Sequence, residues 1–182
     1  MRPAPEVHDA LACLLTYPAE EGIGMRYPAA VQVITDACPE TADDLCGFLD
    51  GIAGVEPGEL EELYTRTFDN VADRSLEVGW QLFGENYARG ILMVRFRGLM
   101  RKHGVPERTE LPDHMSHVLA LLGRAPADVA RAFAGQQVSQ AVTKMLAGLR
   151  SIESPWVGVL EATHKVLQMH REDSRVTSEA QR

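Results

Sequence analysis

The sequence predicts an all-α fold, a single-domain helical bundle, and three observations lead to that prediction. Apolar side chains recur every three or four residues through most of the chain, which is the spacing of one face of a helix. No segment alternates apolar and polar residues for long enough to indicate a strand. With 182 residues, 45% of them hydrophobic and 24% charged, the chain has the length and composition of one globular domain.

The first half of the chain contains four predicted helices. The first covers residues 6–16 and stops before Pro18, because a proline disfavours helical backbone in the residue that precedes it. After a loop, the second covers residues 29–37, and Thr41 is a suitable N-cap for the third, at 42–52. The fourth follows the sequence EPG, and its apolar stripe is Leu60, Leu63, Tyr64 and Phe68.

A short helix and a long helix are predicted in the middle of the chain. Residues 69–85 begin like a loop, but three apolar residues have helical spacing: Leu76, Trp80 and Phe83. The long helix covers residues 85–103, and its apolar positions are Leu92, Phe96, Leu99, Met100 and His103. Glu85 and Arg89 lie four residues apart in the favourable order, so we expect an ion pair on its surface.

The sequence ELPDH introduces the next helix. Leu111 precedes a proline and is therefore kept out of the helical region. Pro112 is then expected at the first helical position and Asp113 at the second. There the charge of Asp113 would interact favourably with the helix dipole, by about 0.3–1 kcal/mol. The apolar residues that follow at helical spacing are Met115, Val118, Leu119 and Leu122.

The last third of the chain contains two more predicted helices and a polar end. One helix covers residues 127–149. The other begins with Ser154 as N-cap and Pro155 at the first helical position, and extends to about Met169. The sequence after it is polar throughout, with no apolar stripe to bury. We therefore expect a helical domain at residues 1–173 and a polar, frayed C-terminal tail at 174–182.

The net charge of −8 is unevenly distributed. Residues 1–84 contain 4 basic and 16 acidic side chains, whereas residues 85–104 contain 5 basic and 1 acidic. Because an acidic protein repels phosphate backbones, we do not expect nucleic acid as a partner. A basic peptide would suit the acidic first half.

Cysteine number and apolar run length indicate the cellular compartment. The three cysteines, Cys13, Cys38 and Cys46, are an odd number without paired spacing, as expected of reduced thiols. The N-terminal sequence lacks the long apolar run of a secretory leader, and no segment approaches the 18 apolar residues of a membrane span. We therefore expect a cytoplasmic protein without direct membrane insertion.

Metal-binding and catalytic residues are sparse. His114 and His117 would lie on one side of a helix, but Cys38 and Cys46 lack the close spacing of zinc ligands, so we expect no metal. No nucleotide-binding or hydrolase motif is present, and the adjacent Asp113 and His114 would point about 100° apart on a helix. We therefore do not expect an enzyme. A helical metal-binding or small-molecule-binding protein, or an enzyme that uses His114 and Asp113, is the alternative.

His114 has three interpretations on these residues alone. It is a neutral, hydrogen-bonded residue near a helix start, a general base, or a residue that contacts a partner protein. A positive imidazolium would be disfavoured at a helix N-terminus. The residues by themselves do not distinguish between these roles.

Several sequence motifs in combination resemble a known family. YTRTFD (64–69), SLEVGWQLFGENYARG (75–90) and ELPDH (110–114) occur in this order, after an early LLTYP (14–18). They resemble the nitrate reductase delta-subunit family, the NarJ/TorD-type assembly chaperones of molybdoenzymes. The resemblance covers most of residues 8–125.

The resemblance implies an all-helical cytoplasmic chaperone that has no cofactor of its own. Its partner would be the apo catalytic subunit of a molybdopterin (bis-MGD) oxidoreductase such as a nitrate reductase-type enzyme, bound through the N-terminal leader. The chaperone would assist insertion of the molybdenum cofactor and delay export or membrane docking. It would be a monomer or a domain-swapped dimer.

The resemblance also implies which residues contact the leader. Its arginines would pair with carboxylates such as Asp69 and Asp113, and His114 would hydrogen-bond the peptide. Together with these three, the expected leader-binding residues are Tyr64, Phe68, Trp80, Glu85, Arg89 and Pro112.

Overall fold

The computed structural model describes residues 3–18, 23–69 and 71–179, and within these the side chains at 23–24, 135–136 and 171–179 are not described. The all-α prediction is confirmed. In the described residues the regular structure is helical, apart from one isolated β-bridge between Glu77 and His114. No helix among them is both long and apolar enough to cross a membrane.

Ten α-helices occur in the described residues: α1 (Pro5–Leu14), α2 (Ile23–Ala37), α3 (Ala42–Ile52), α4 (Pro57–Phe68), α5 (Val78–Phe83), α6 (Tyr87–Lys102), α7 (Met115–Arg124), α8 (Ala127–Ala132), α9 (Ser139–Leu149) and α10 (Trp156–Glu179). Short 3₁₀ turns precede α3 and α5, at Pro39–Thr41 and Ala72–Arg74. A π-helical segment, Phe133–Val138, joins α8 to α9.

The helices surround one core. The N-terminal α1 packs against α2 and α7, and the C-terminal α10 packs against α3 and α9. Trp156 of α10 is fully buried, and its ring contacts those of Phe48, Tyr64 and Phe68. Its indole Nε1–H donates to the carbonyl of Leu14 at 3.0 Å. The aromatic stripe predicted on α4 is therefore anchored in the core, which fixes the position of the chain that follows it.

Most predicted helices are found, with differences at their ends. The second begins at Ile23 rather than at residue 29 and contains Pro28, which the prediction had treated as a break. The predicted helix at 127–149 is continuous but contains the π-helical segment. The last helix extends past Met169 to Glu179. Residues 180–182 of the predicted tail lie outside the described residues, and the domain boundary at 173 stays a prediction.

Of the two predicted N-caps, Thr41 is the N-cap residue of α3 but does not cap it with its side chain, and Ser154 is not the N-cap of α10, which begins at Trp156. The hydroxyl of Thr41 donates to the carbonyl of Cys38 at 2.7 Å, and it makes no capping bond to α3. The hydroxyl of Ser154 is buried without a hydrogen-bond partner among the described residues. Thr41 belongs to the preceding 3₁₀ turn, Pro39–Thr41, and its hydroxyl bonds back to that turn.

Candidate functional site

The sequence ELPDH forms a turn that ends in a capping histidine. The amide of His114 donates to the carbonyl of Leu111 at 2.9 Å, and α7 begins only at Met115. The prediction that Pro112 and Asp113 open the helix is therefore wrong. His114 is the N-cap instead, and its Nδ1 accepts a hydrogen bond from the amide of Ser116 at 3.3 Å. A ring nitrogen here does what a hydroxyl or carboxylate oxygen does in most caps.

Two backbone hydrogen bonds join this turn to the segment before α5. The amide of Val78 donates to the carbonyl of Asp113 at 2.8 Å, and the amide of Met115 donates to that of Leu76 at 2.9 Å. Glu77 and His114 consequently face each other as an isolated antiparallel bridge. Two segments that are far apart in the sequence, 75–78 and 111–115, are held in one fixed geometry.

Asp113 belongs to a buried ion pair. Its side chain is fully buried, and its Oδ2 lies 3.0 Å from Nε of Arg89, whose side chain is 17% exposed. The guanidinium of Arg89 also lies over the ring of Trp80, 5.5 Å from the ring centroid. Gly79 is required beside this pair, because a Cβ atom there would lie 2.6 Å from the Asp113 carboxylate. Asp113 therefore supports the turn from inside and does not offer its carboxylate to a partner.

The predicted surface pair of Glu85 and Arg89 is wrong for a related reason. Glu85 is exposed and precedes the N-cap of α6, which is Asn86, so it lies outside the helix. The side-chain oxygen of Asn86 accepts from the amide of Ala88 at 3.0 Å. Arg89 points inward to Asp113 instead.

A cavity of about 190 Å³ opens beside His114. It is lined by Tyr64, Phe68, Asp69, Ser75, Leu76, Glu77, Glu110 and His114, and we refer to it as the acidic cavity. Its residues come from the end of α4, from segment 75–78 before α5 and from the turn before α7. The three carboxylates give it a negative charge, and Phe68 and Leu76 give it an apolar wall.

His114 lines the acidic cavity with a neutral imidazole. Burial, with a smaller effect of His117, lowers the pKa of its imidazole from 6.5 to about 3. The ring is therefore neutral at physiological pH. Its Nδ1 lies 2.8 Å from the hydroxyl of Ser116 and accepts from the amide of Ser116 at 3.3 Å, an arrangement that assigns the proton to Nε2. Among the described residues Nε2 has no hydrogen-bond partner. The residue is 4% exposed and lines the acidic cavity.

Tyr64 reports the negative charge of the cavity. Burial raises the pKa of its hydroxyl well above the usual value, and the carboxylates of Glu110, Asp69 and Glu77 raise it further. That hydroxyl donates to the carbonyl of Leu15 at 2.9 Å. Tyr64 is therefore a structural residue whose ring forms part of the cavity floor.

Asp69 connects the acidic cavity to a wider groove. It follows α4 directly, is exposed, and lines both the cavity and an open groove of about 650 Å³. That groove runs beside α4 and is lined by Tyr17, Gly58, Glu61, Glu62, Thr65, Arg66, Asp69 and Val71. The acidic surface is thus elongated, as an extended peptide would require.

The structure places the predicted residues in different roles. Tyr64, Phe68, Asp69 and His114 line the acidic cavity, whereas Asp113 and Arg89 support it from behind. Trp80 is part-exposed, packs under Arg89 and donates its indole N–H to the carbonyl of Ala72 at 3.1 Å, and it does not line the cavity. Pro112 is buried and Glu85 is exposed on another segment.

Sequence reasoning did not predict four of the lining residues as part of a site: Ser75, Leu76, Glu77 and Glu110. All four stand within the quoted motifs, but only the backbone bridge shows that their segments meet. Within the part of the chain that the structure describes, no three His, Cys, Asp or Glu side chains are grouped as a metal site.

Comparison with known proteins agrees with the motifs. The sequence model described as "Nitrate reductase delta subunit" matches residues 33–162, well over half of the chain. This chain belongs to that family. The nitrate reductase delta-subunit match includes every residue that lines the acidic cavity.

A curated relative from the same family is also similar. The chain is 30% identical over 125 residues to the "Probable nitrate reductase molybdenum cofactor assembly chaperone NarJ" of Bacillus subtilis (strain 168). The alignment covers 67% of this chain and 67% of the relative.

Proposed function

We propose that this chain is an assembly chaperone for a molybdoenzyme. It binds the apo catalytic subunit of a molybdopterin oxidoreductase through the N-terminal leader, and the acidic cavity is the leader-binding site. Membership of the nitrate reductase delta-subunit family and the similarity to a cofactor assembly chaperone support the general role. The acidic cavity is the observation that supports leader binding.

The chemistry of the cavity suits a basic peptide. Its carboxylates, from Asp69, Glu77 and Glu110, accept charge-assisted hydrogen bonds from a guanidinium group. The free Nε2–H of His114 donates to a backbone carbonyl of the same peptide. Phe68 and Leu76 contact the aliphatic part of the arginine side chain. The groove beside α4 takes the residues on either side.

Binding of the leader delays export or membrane docking of the catalytic subunit. A catalytic subunit whose leader is bound stays in the cytoplasm while the bis-MGD cofactor is inserted, and export or membrane docking follows release. We expect an affinity in the micromolar range, about −8 kcal/mol, which permits both holding and release. The chain itself is proposed to hold no cofactor and to catalyse no reaction.

The alternatives have less support from the geometry. An acid–base function of Asp113 and His114 would require both groups to face a substrate, but Asp113 is paired with Arg89. A metal held by His114 and His117 would displace hydrogen bonds at both ring nitrogens of His117, whose Nε2 accepts from the amide of Arg108 and whose Nδ1 donates to the carbonyl of Leu111.

Calorimetric titration with a synthetic leader peptide tests the proposal. The peptide is copied from the N-terminus of the client catalytic subunit, and a second copy has each arginine replaced by glutamine. Asp69→Asn and Glu110→Gln should each weaken binding ten- to a hundredfold, since a charge-assisted hydrogen bond contributes about 1.5–3 kcal/mol. Asp128→Asn removes the same charge from an exposed site on α8 and should bind like the parent.

The glutamine peptide distinguishes charge recognition from simple apolar contact. It should bind at least tenfold more weakly than the arginine peptide, and the cavity variants should affect it little. If both peptides bind equally well, or if both cavity variants bind like Asp128→Asn, the acidic cavity is not the leader site.

A further inference from the structure

The outer face of α6 is apolar although it faces solvent. Four large apolar side chains of the described residues are more than half exposed, and three of them belong to this helix: Tyr87 at 83%, Ile91 at 55% and Val94 at 70%. They recur at intervals of four and three residues, so they lie on one side of α6. The opposite side, with Leu92, Phe96 and Met100, is buried in the core. An amphipathic helix normally needs only one apolar side.

Contacts within this chain do not explain why two positions of α6 are occupied by glycine. A Cβ atom at Gly90 or at Gly98 would meet nothing within 4 Å, and neither residue has positive φ. Glycine is nonetheless among the least favourable residues in a helix interior. Gly98 continues the line of Tyr87, Ile91 and Val94, eleven residues after the first of them. A missing side chain at such a position lets the backbone of another molecule approach closely.

Positive charges surround this apolar line. Nε of Arg97 lies 2.8 Å and Nε of Arg101 lies 3.4 Å from the carboxylate of Glu107, so two cations share one anion. Lys102 is exposed and has no carboxylate partner among the described residues. The guanidinium of Arg95 lies over the ring of Phe133, 4.9 Å from its centroid. The rim of the face is therefore basic, in a chain whose net charge is −8.

We propose that the outer face of α6, formed by Tyr87, Ile91, Val94 and Gly98, binds an acidic amphipathic helix of a partner protein. The apolar line would pack against the apolar stripe of that helix, Gly98 would allow the two backbones to approach, and the basic rim would pair with Asp and Glu beside the stripe. The chemistry is opposite to that of the acidic cavity, so the two surfaces select different segments.

Other occupants fit the charges less well. A second copy of this chain would bring two basic rims together, and in each rim Glu107 already pairs with Arg97 and Arg101. Three large side chains also fall short of the roughly 800 Å² per partner that a stable dimer buries. An anionic membrane would attract the rim but repel the acidic first half of the chain.

Binding of designed peptides to the full-length protein tests the proposal. Three helical peptides share one leucine stripe and carry glutamate, glutamine or lysine on the flanking positions. Fluorescence anisotropy should show the glutamate peptide binding at least tenfold more tightly than the other two. Ile91→Asp and Arg101→Glu should each weaken its binding at least tenfold, whereas Met25→Asp, at an exposed apolar residue of α2, should bind like the parent.

Three results would overturn the proposal. One is equal binding of the three peptides, and another is loss of glutamate-peptide binding in Met25→Asp as large as in Ile91→Asp. The third is absence of binding to the glutamate peptide, together with sedimentation as a dimer or binding of phosphatidylglycerol vesicles through the same residues. Circular dichroism of each variant checks folding, and Arg101→Glu, at a 73% exposed side chain, covers the case in which Ile91→Asp fails to fold. Leader-peptide affinity is measured in parallel, so failure of this surface is distinguishable from failure of the acidic cavity.

Discussion

The acidic cavity and the outer face of α6 are two surfaces of opposite character that share one helix. The inner side of α6 supplies Arg89, which holds Asp113 behind the cavity, whereas the outer side presents Tyr87, Ile91 and Val94 to solvent. The cavity is concave and negative, and it is assembled from three separate segments. The outer face is convex and belongs to a single helix. The first surface depends on tertiary interactions, so substitutions behind it should lower the stability of the fold. The second depends on one helix, so substitutions on it should change stability little.

The largest expected effect on stability comes from breaking the buried ion pair behind the acidic cavity. Asp113→Asn leaves Arg89 without its buried partner, and we expect the free energy of unfolding to fall by about 3 kcal/mol. This is the low end of the range for a broken buried pair, because Arg89 partly reaches solvent. Urea denaturation measures the change. The matched control is Glu161→Gln, which breaks the exposed pair with Arg150 and should cost less than about 1 kcal/mol.

Equal effects of Asp113→Asn and Glu161→Gln would contradict the assignment of Asp113 as a buried support. Leader affinity gives a second readout. If Asp113 acts only from behind, the folded fraction of the Asp113→Asn protein should bind the leader within a few-fold of the parent, unlike Asp69→Asn.

A smaller effect is expected from the pH dependence of His114. Three carboxylates line the same cavity, but burial is the largest influence and lowers the imidazole pKa to about 3. Below pH 6.5 the unfolded chain takes up a proton that the folded chain refuses until about pH 3. The free energy of unfolding is therefore unaffected by this residue above pH 6.5. It falls as the pH decreases from 6.5 towards about 3, by about 1.4 kcal/mol per pH unit at most.

The variant that isolates this effect is His114→Asn. Asparagine keeps a side-chain oxygen for the cap of α7 but does not titrate. We expect the parent to lose about 2 kcal/mol more than the variant between pH 7 and pH 5, since other titrating groups are common to both. Identical pH profiles in urea denaturation would mean that His114 titrates normally in the folded protein.

The same contrast explains how much the sequence could predict. Helical periodicity gave most of the helices and the aromatic stripe of α4, because those depend on local spacing. The positions of Glu77 and Glu110 depend on two backbone bonds between segments 75–78 and 111–115, and no local pattern encodes such a bond. The sequence predicted an ion pair between Glu85 and Arg89 because the spacing rule applies only to neighbours on one helix. The actual partner of Arg89 is the buried Asp113, which is distant in the sequence.

Two glycine substitutions compare the two regions directly, and Gly98→Ala has the smallest expected effect on stability. Gly79→Ala places a Cβ atom 2.6 Å from the Asp113 carboxylate and 2.9 Å from Cγ of Arg89, so the ion pair must shift. Crowding of this kind costs about 1–3 kcal/mol. Gly98→Ala places a Cβ atom in open space on α6 and should raise the free energy of unfolding by up to about 1 kcal/mol, because alanine is the better helix former.

Gly47 of α3 provides the control for the second change, since a Cβ atom there also meets nothing within 4 Å. Gly47→Ala should stabilise the chain about as much as Gly98→Ala does. The two variants should differ in binding: Gly98→Ala should weaken the complex with the glutamate peptide, and Gly47→Ala should not. If Gly98→Ala gains stability and binds the peptide as the parent does, close backbone approach is not the reason for that glycine. If Gly79→Ala is as stable as the parent, the packing behind the acidic cavity is looser than the structure indicates. The cavity would then depend on tertiary contacts no more than the outer face of α6 does.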